Sequence, residues 1–211
     1  MPSSLPTDQT LSNDGLSPDG QGKILLVACG ALAREIIALR DQHSWTHLDL
    51  TCLPAIYHNY PEKITGAVRD AVAKWRNHYE QIFVVYADCG TGGQLESACA
   101  ELGVEMLQGP HCYSFFEGNE AFAERGEITS FFLTDFLARQ FDAFIWKPLG
   151  MDRHPELIEM YFGNYEKMVF QSQSPDPKLL ELAKSHAAKV GLEFEYRFTG
   201  YGDLETALAK L

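Results

Sequence analysis

The sequence lacks the features that would place it in a membrane, in a secretory route or on nucleic acid. No apolar run approaches the roughly 18 residues that a spanning helix needs, and the longest strongly apolar stretch is Ile24–Cys29. The first twenty residues contain no Lys, Arg or aromatic residue, so they do not resemble a signal peptide. Lys and Arg form no cluster, and the net charge of −12 repels a phosphate backbone. We expect a cytoplasmic protein with neither a membrane nor a nucleic-acid partner.

Familiar cofactor motifs are also missing. There is no C-x-x-C pair and no dense cysteine run, which excludes an ordinary ferredoxin. Gly90–Gly93 matches neither the dinucleotide-binding pattern nor the P-loop. Five cysteines without an export signal favour reduced thiols over a disulfide framework. Each thiol is therefore available as a ligand or a nucleophile.

The hydrophobic pattern predicts an α/β fold. Short β-type apolar runs such as Lys23–Ala28 and Ile82–Ala87 alternate with segments of helical periodicity. This alternation predicts a mostly parallel, doubly wound, Rossmann-like sheet in a single domain over residues 23–211. Residues 1–22, rich in Ser, Pro, Asp and Gly, are expected to form a disordered tail. Residues 114–165 are predicted to form a helical, aromatic-rich excursion that covers the carboxyl ends of the strands.

Three cysteines follow the predicted strands directly. Cys29, Cys89 and Cys112 each lie at the carboxyl end of a different strand, where ligands bind in this fold class. Because these ends share one edge of a parallel sheet, the three thiols are expected to converge. The alternative is that they are small buried residues. That explanation is preferred for Cys52, on an alternating strand face, and for Cys99, on the apolar face of a helix.

Three converging thiolates predict a metal centre with an open coordination position for water or substrate. Cysteines on three neighbouring loops need not crowd round one atom, because adjacent strands lie about 4.8 Å apart. The cysteines of a cubane cluster bind different irons and tolerate wider separation than the ligands of one zinc ion. We therefore expect a [4Fe–4S] cluster, with zinc as the alternative cofactor.

Polar residues next to these cysteines are candidates for proton transfer and anion binding. His58 follows the second strand, Asp88 precedes Cys89 and His111 precedes Cys112, so they could act as acids and bases. The histidines could instead bond loop backbone. A glycine-rich turn ahead of a helix could place backbone N–H groups near a cofactor anion, or it could simply form the turn; its candidate residues are Gly90, Thr91 and Gly92.

Several blocks of sequence together resemble one family, the domain of unknown function numbered 1638 of bacteria and methanogenic archaea. The resemblance rests on the motifs ACGALA, LPAIYHNYPEKI, YADCGTGG, GPHCY, FFLTDFL, LGMDRHPEL and YFGNY, which run from about Lys23 to Leu204. It implies that the three cysteine positions belong to the family pattern. It also implies a context of corrinoid-dependent methyltransferases and one-carbon substrates, and therefore a possible partner from such a system.

Four functions are consistent with these observations. The first is a lyase, hydratase or desulfurase that uses an open iron of the cluster to bind a small-molecule substrate. The second is a zinc-thiolate enzyme for methyl transfer or hydrolysis. The third is a non-catalytic accessory protein of a methyltransferase system. The fourth is a metal-free thiol enzyme that uses Cys29 or Cys89 as nucleophile and His58 or His111 as base.

Overall fold

Alternating strands and helices build two parallel sheets in the computed structural model, which describes residues 5–211. The chain divides into two compact units. Unit 1 comprises the described residues up to Cys112 together with Leu204–Leu211, and unit 2 comprises Tyr113–Asp203. The predicted α/β class with parallel strands is confirmed. We had expected one sheet, and the structure distributes the strands between two.

The sheet of unit 1 has four strands in the order β2-β1-β3-β4, and all its neighbours are parallel. Its strands are β1 (Ile24–Cys29), β2 (Leu48–Leu53), β3 (Gln81–Val85) and β4 (Glu105–Met106). Its helices include α1 (Asp8–Asn13), α2 (Ala33–His43), α3 (Ile64–Trp75) and α4 (Gln94–Leu102), with 3-10 turns at Gly30–Leu32, Ala55–Asn59 and Pro61–Lys63. Strand β1 is buried along its whole length, with helices and loops on both faces of the sheet. This burial explains why its sequence is a continuous apolar run.

The segment before β1 is ordered, in contrast to the predicted tail over residues 1–22. Residues 8–13 form α1, capped by the Thr7 hydroxyl, which accepts a hydrogen bond from the Thr10 N–H at 3.1 Å. Leu11 is fully buried, and the buried carboxylate of Asp49 on β2 accepts hydrogen bonds from the N–H groups of residues 19 and 20. The polar composition of this segment was therefore misleading, because its partners lie in the fold. Residues 1–4 lie outside the described part of the chain.

Unit 2 contains a three-stranded parallel sheet in the order β5-β6-β7. Its strands are β5 (Ser130–Leu133), β6 (Lys167–Ser172) and β7 (Glu193–Phe198). Its helices are α5 (Ser114–Glu117), α6 (Asn119–Arg125), α7 (Asp135–Arg139), a π-helical turn at Asp142–Trp146, α8 (Leu157–Phe162) and α9 (Pro177–Val190). The last helix, α10 (Gly202–Leu208), begins in unit 2 and ends in unit 1.

The predicted helical excursion over residues 114–165 is only partly helical. Strand β5 interrupts it, and the adjacent Phe131 and Phe132, which were interpreted as helical, lie on that strand. Aromatic residues favour strands as well as helical cores, so a short apolar run does not distinguish the two by periodicity alone. The excursion is therefore part of a second α/β unit.

Polar residues at the carboxyl edge of the second sheet bond mainly to each other. The buried carboxylate of Asp135 accepts hydrogen bonds from the Gln173 N–H at 3.2 Å, the Ser174 N–H at 3.1 Å and the Ser174 hydroxyl at 2.9 Å. In return, the Asp135 N–H donates to Gln173 Oε1 at 2.8 Å. These bonds join the loop after β5 to the loop after β6.

None of the helices within residues 5–211 combines the length and the apolar character needed to cross a membrane.

Candidate functional site

Three cysteines lie at or after the carboxyl ends of neighbouring strands of the first sheet. Cys29 is the last residue of β1, Cys89 follows β3 and Cys112 follows β4. These strands are adjacent in the order β1-β3-β4 and run parallel, so their carboxyl ends lie at one edge. All three cysteines thus lie at the edge where the sequence pattern located them, and none of the five cysteines forms a disulfide.

Cys89 and Cys112 form a close pair of sulfurs. Their Sγ atoms are 3.1 Å apart. The two loops are held together by backbone hydrogen bonds from the Asp88 N–H to the Gly109 oxygen at 3.0 Å and from the Cys89 N–H to the Pro110 oxygen at 3.2 Å. Cys89 has φ +46°, a left-handed conformation that disfavours residues with a Cβ. Such strain is typical of functional sites, where the surrounding structure imposes it.

The pair shares its protons unequally. The hydrogen bond from the Cys112 thiol lowers the pKa of Cys89, and backbone N–H groups of Cys112 and Ala87 lower it further. For Cys112, donation to Cys89 and burial raise the pKa well above its usual range. Cys89 is therefore the residue of the pair that loses its proton first, and Cys112 donates to it.

Cys29 lies in the same electrostatic neighbourhood as this pair. Burial raises the pKa of Cys29 to about 12, although a hydrogen bond from the Ala31 N–H opposes this effect. The nearby Cys89 raises the pKa of Cys29 further. Without a cation to offset its charge, Cys29 is protonated at neutral pH. All three thiols at this edge thus have a backbone N–H directed at the sulfur.

Tyr86 places a phenol among these thiols. Its side chain is 1% exposed, and its hydroxyl donates a hydrogen bond to the Cys29 sulfur. Burial is the main reason that the pKa of Tyr86 is raised well above its usual range, and the nearby Cys29 and Cys112 raise it further. A thiol sulfur is a weak acceptor, so this buried hydroxyl can still bond to a stronger partner.

Tyr86 was not among the sequence-predicted site residues. It is the one polar side chain in the buried run IFVVYA, and it directly follows Val85, the last residue of β3. A buried phenol needs a hydrogen-bond partner for its hydroxyl. A tyrosine in an otherwise apolar run is therefore the sequence feature that could have indicated this site residue.

The two other cysteines lie in the core, as expected. Cys52 on β2 is paired in register with Ala28 on β1, and Cys99 is buried on α4. Burial raises the pKa of both, and for Cys52 the nearby Cys29 and Glu35 raise it further. Cys52 therefore lies near the site without being at the loop edge. The buried carboxylate of Glu35 is a second neighbour that sequence reasoning missed.

His58 and His111 lie near each other at this edge. His58 belongs to the turn Ala55–Asn59 after β2, and His111 precedes Cys112. Both residues keep exposed surface, but desolvation by surrounding protein atoms lowers the pKa of each, and for His58 the neighbouring His111 lowers it further. A lowered pKa leaves each imidazole neutral at pH 7, ready to accept a proton.

Asp88 shapes the glycine-rich turn. Its carboxylate accepts hydrogen bonds from the Thr91 hydroxyl at 2.9 Å, the Gly92 N–H at 3.2 Å and the Gly93 N–H at 2.7 Å. The bond from Gly93 is the main reason that the pKa of Asp88 is lowered. Asp88 is consequently ionised at neutral pH and is a poor proton donor, and its predicted acid–base role stays a prediction.

The turn that we predicted to bind an anion, Gly90, Thr91 and Gly92, is where these hydrogen bonds to Asp88 form. The N–H groups of Gly92 and Gly93 point to Asp88, so they are not available to a cofactor anion. Gly90, Gly92 and Gly93 all have positive φ, between 61° and 83°, which favours glycine. The structure thus supports the simpler alternative, in which the glycines form the turn after Cys89.

The donor set suits a soft metal, although the side chains are not arranged around one point. Among residues 5–211, no three His, Cys, Asp or Glu side chains form a ready group for one ion. Two thiolates on a tetrahedral zinc with Zn–S near 2.3 Å lie roughly 3.8 Å apart. The sulfurs of Cys89 and Cys112 would separate by less than about 1 Å to reach that distance.

The comparisons with known proteins identify a family. They found no matching curated protein and no matching solved structure. One family model, described as a protein of unknown function (DUF1638), matches residues 52–208. The matched segment contains Cys89 and Cys112, whereas Cys29 precedes it, so the family match covers two of the three cysteines. The chain belongs to the DUF1638 family.

Proposed function

We propose that this protein is a metal-dependent enzyme whose active centre is held by Cys29, Cys89 and Cys112. The observation that carries the proposal is the placement of three thiols at the ends of adjacent strands, with two sulfurs 3.1 Å apart and the buried phenol of Tyr86 bonded to the third. Thiolates are the preferred protein ligands of soft metals and iron–sulfur clusters. A bound metal would neutralise thiolates that burial otherwise disfavours, as at Cys29.

A [4Fe–4S] cluster is the first candidate. Cys29 ends β1, and Cys112 lies in the loop after β4, two strands further along the sheet. Cluster cysteines bind different irons and accommodate such a span. Backbone N–H groups lie at all three sulfurs, and hydrogen bonds of this kind tune cluster potentials.

Three protein ligands leave one iron open to a small-molecule substrate. When bound, the cluster supplies a Lewis acid for elimination, hydration or sulfur removal. The neutral imidazoles of His58 and His111 would accept or return the proton that such reactions move. The turn shaped by Asp88 would fix the backbone of Cys89.

Zinc is the second candidate, and the sulfur pair favours it. Two sulfurs at 3.1 Å are closer to the spacing expected on one tetrahedral ion than to that of ligands on separate irons. In that case Cys89 and Cys112 would chelate the ion and Cys29 would be the third ligand. The open position would activate a thiol or water for methyl transfer or hydrolysis.

Anaerobic purification with quantification of iron, sulfide and zinc tests the proposal. About four iron and four sulfide per chain with a brown colour would support the cluster. One zinc per chain would support the second candidate, and the search would turn to methyl transfer and hydrolysis. A protein that takes up neither, even after reconstitution with iron and sulfide or with zinc, would overturn the metal centre and leave the metal-free thiol enzyme as the alternative.

A further inference from the structure

The Cys89–Cys112 pair has the geometry of a dithiol that is ready to oxidise. Its sulfurs are 3.1 Å apart, so they need to approach by only about 1 Å to reach the S–S bond length of about 2.05 Å. The two backbone hydrogen bonds between the loops hold residues 88–89 against residues 109–110. The loops are therefore already at the spacing that a disulfide needs.

Access separates this pair from the other thiols. Cys29, Cys52 and Cys99 are buried, with exposed fractions of 7%, 4% and 1%. Cys89 and Cys112 are partly exposed, and the adjacent Gly90 and His111 are exposed. A small oxidant therefore reaches the pair before it reaches any other cysteine.

We infer that Cys89 and Cys112 form a reversible disulfide, made by exchange with a small disulfide such as oxidised glutathione. One thiolate of the pair attacks a glutathione sulfur, which forms a mixed disulfide and releases one glutathione thiolate. The second cysteine loses its proton to solvent and attacks the mixed disulfide, which releases the second glutathione. Two protein thiols are oxidised, and one oxidised glutathione is reduced to two thiols, so electrons and protons balance.

This site regulates the metal centre if the proposed function holds. The disulfide uses two of the three proposed ligands, so the oxidised protein has only Cys29 left at the strand edge. Metal binding and oxidation thus exclude each other. The disulfide itself requires no metal, so it can form even if the metal proposal fails.

The first test treats the full-length chain, after a chelator has removed any metal, with oxidised glutathione. We expect an intact mass lower by about 2 Da, reversal by dithiothreitol and a cross-linked peptide containing Cys89 and Cys112. Cys89→Ser and Cys112→Ser should each stop at a glutathione adduct on the remaining partner. Cys52→Ala and Cys99→Ala, at buried cysteines, should oxidise like the wild type. Stable adducts on the wild type, no reaction, or a cross-link between other cysteines would overturn the inference.

The second test compares metal-loaded and metal-free wild type. Loading should slow disulfide formation about tenfold or more, because a metal-bound thiolate is not free to attack. Equal rates in a protein with bound metal would overturn the regulatory link but leave the disulfide. Failure to load any metal would contradict the proposed function alone, since the first test does not depend on it.

Discussion

The two sheets of this protein have polar carboxyl edges of opposite character. In unit 2, Asp135 accepts three hydrogen bonds from Gln173 and Ser174, and its own N–H is also bonded. In unit 1, the thiols of Cys89 and Cys112 face each other, and the hydroxyl of Tyr86 bonds to the weakly accepting sulfur of Cys29. The first edge is held by bonds between a carboxylate and backbone, whereas the second brings thiols and a phenol together.

The difference indicates which edge supports the fold and which is available for chemistry. At the Asp135 edge the bonds join the segment after β5 to the loop after β6, and the expected role is stability. At the cysteine edge the donors are soft thiols, and the backbone of Cys89 is strained, so the expected role is binding.

The largest expected effect is a loss of stability at the Asp135 edge of unit 2. Asp135→Ala removes the acceptor for two backbone N–H groups and a hydroxyl, so we expect the free energy of unfolding to fall by about 3 kcal/mol. Urea denaturation measures this loss. Asp142→Ala, at an exposed ion pair with Lys189, is the control and should cost less than about 1 kcal/mol. Equal losses would mean that the bonded network is not a stabilising one.

Asp88→Ala should act mainly on the cysteine edge of unit 1. It removes the acceptor that shapes the turn after Cys89, so we expect metal affinity to weaken about tenfold, as it does when ligand-orienting groups are removed. Chelator competition measures the affinity. Asp70→Ala, at an exposed position of α3, is the matched control and should bind like the wild type. Unchanged affinity in Asp88→Ala would separate the turn from the metal site.

Two hydroxyl deletions should give opposite results. Tyr86→Phe removes a hydroxyl without a good partner, so the metal-free protein should be unchanged or up to about 1 kcal/mol more stable. Ser172→Ala, at a buried hydroxyl that donates to the Ser174 oxygen at 2.7 Å, should lose about 1 kcal/mol. Thermal and urea unfolding of both variants provide the comparison. A clear loss in Tyr86→Phe would show that its hydroxyl is already satisfied.

The smallest expected effect is on the pH dependence of folding stability, to which Asp49 and Asp135 should contribute in opposite directions. Burial by itself raises the pKa of Asp49, but hydrogen bonds from Tyr79 and three backbone N–H groups lower it overall. Its contribution to stability is therefore present above the unfolded pKa of about 3.9 and lost as pH falls through its lower folded value. Burial raises the pKa of Asp135 more than its hydrogen bonds lower it. Protonating Asp135 therefore favours the folded state, and stability decreases as pH rises from about 3.9 through its folded pKa.

Replacing each Asp with Asn, which does not titrate, isolates the contribution of that carboxyl group to the pH dependence of stability. Relative to Asp49→Asn, the wild type should lose its advantage only below about pH 3.9. Relative to Asp135→Asn, it should gain as pH falls towards about 3.9 from above. Parallel curves for the two variants would contradict the assigned directions.

Much of the fold could be predicted from periodicity. Helices Gln94–Leu102 and Pro177–Val190 end at Gly103 and Gly191, and Asp176 caps the start of the second helix, so the sequence contains clear signals for these bounds. The division into two sheets could not be predicted, because β5 lies within an aromatic segment without a distinguishing period. The ordered residues before β1 depend on Asp49, a partner 30 positions away from Asp19.

The candidate site could be predicted in outline. Strand ends located Cys29, Cys89 and Cys112 at one edge, because parallel strands fix that geometry. The role of Asp88 could not be predicted, because whether a carboxylate caps a turn or moves a proton depends on the conformation of the loop. The 3.1 Å approach of two sulfurs likewise depends on hydrogen bonds between loop residues that lie 21 positions apart in sequence.

The most direct test of the central claim is the metal content of five single-cysteine variants beside the wild type, after anaerobic purification and reconstitution. We predict that Cys29→Ala, Cys89→Ala and Cys112→Ala lose the bound metal, while Cys52→Ala and Cys99→Ala, at core positions, retain it. Retention of metal by any of the first three variants, or a wild type that binds none, would contradict the three-cysteine centre.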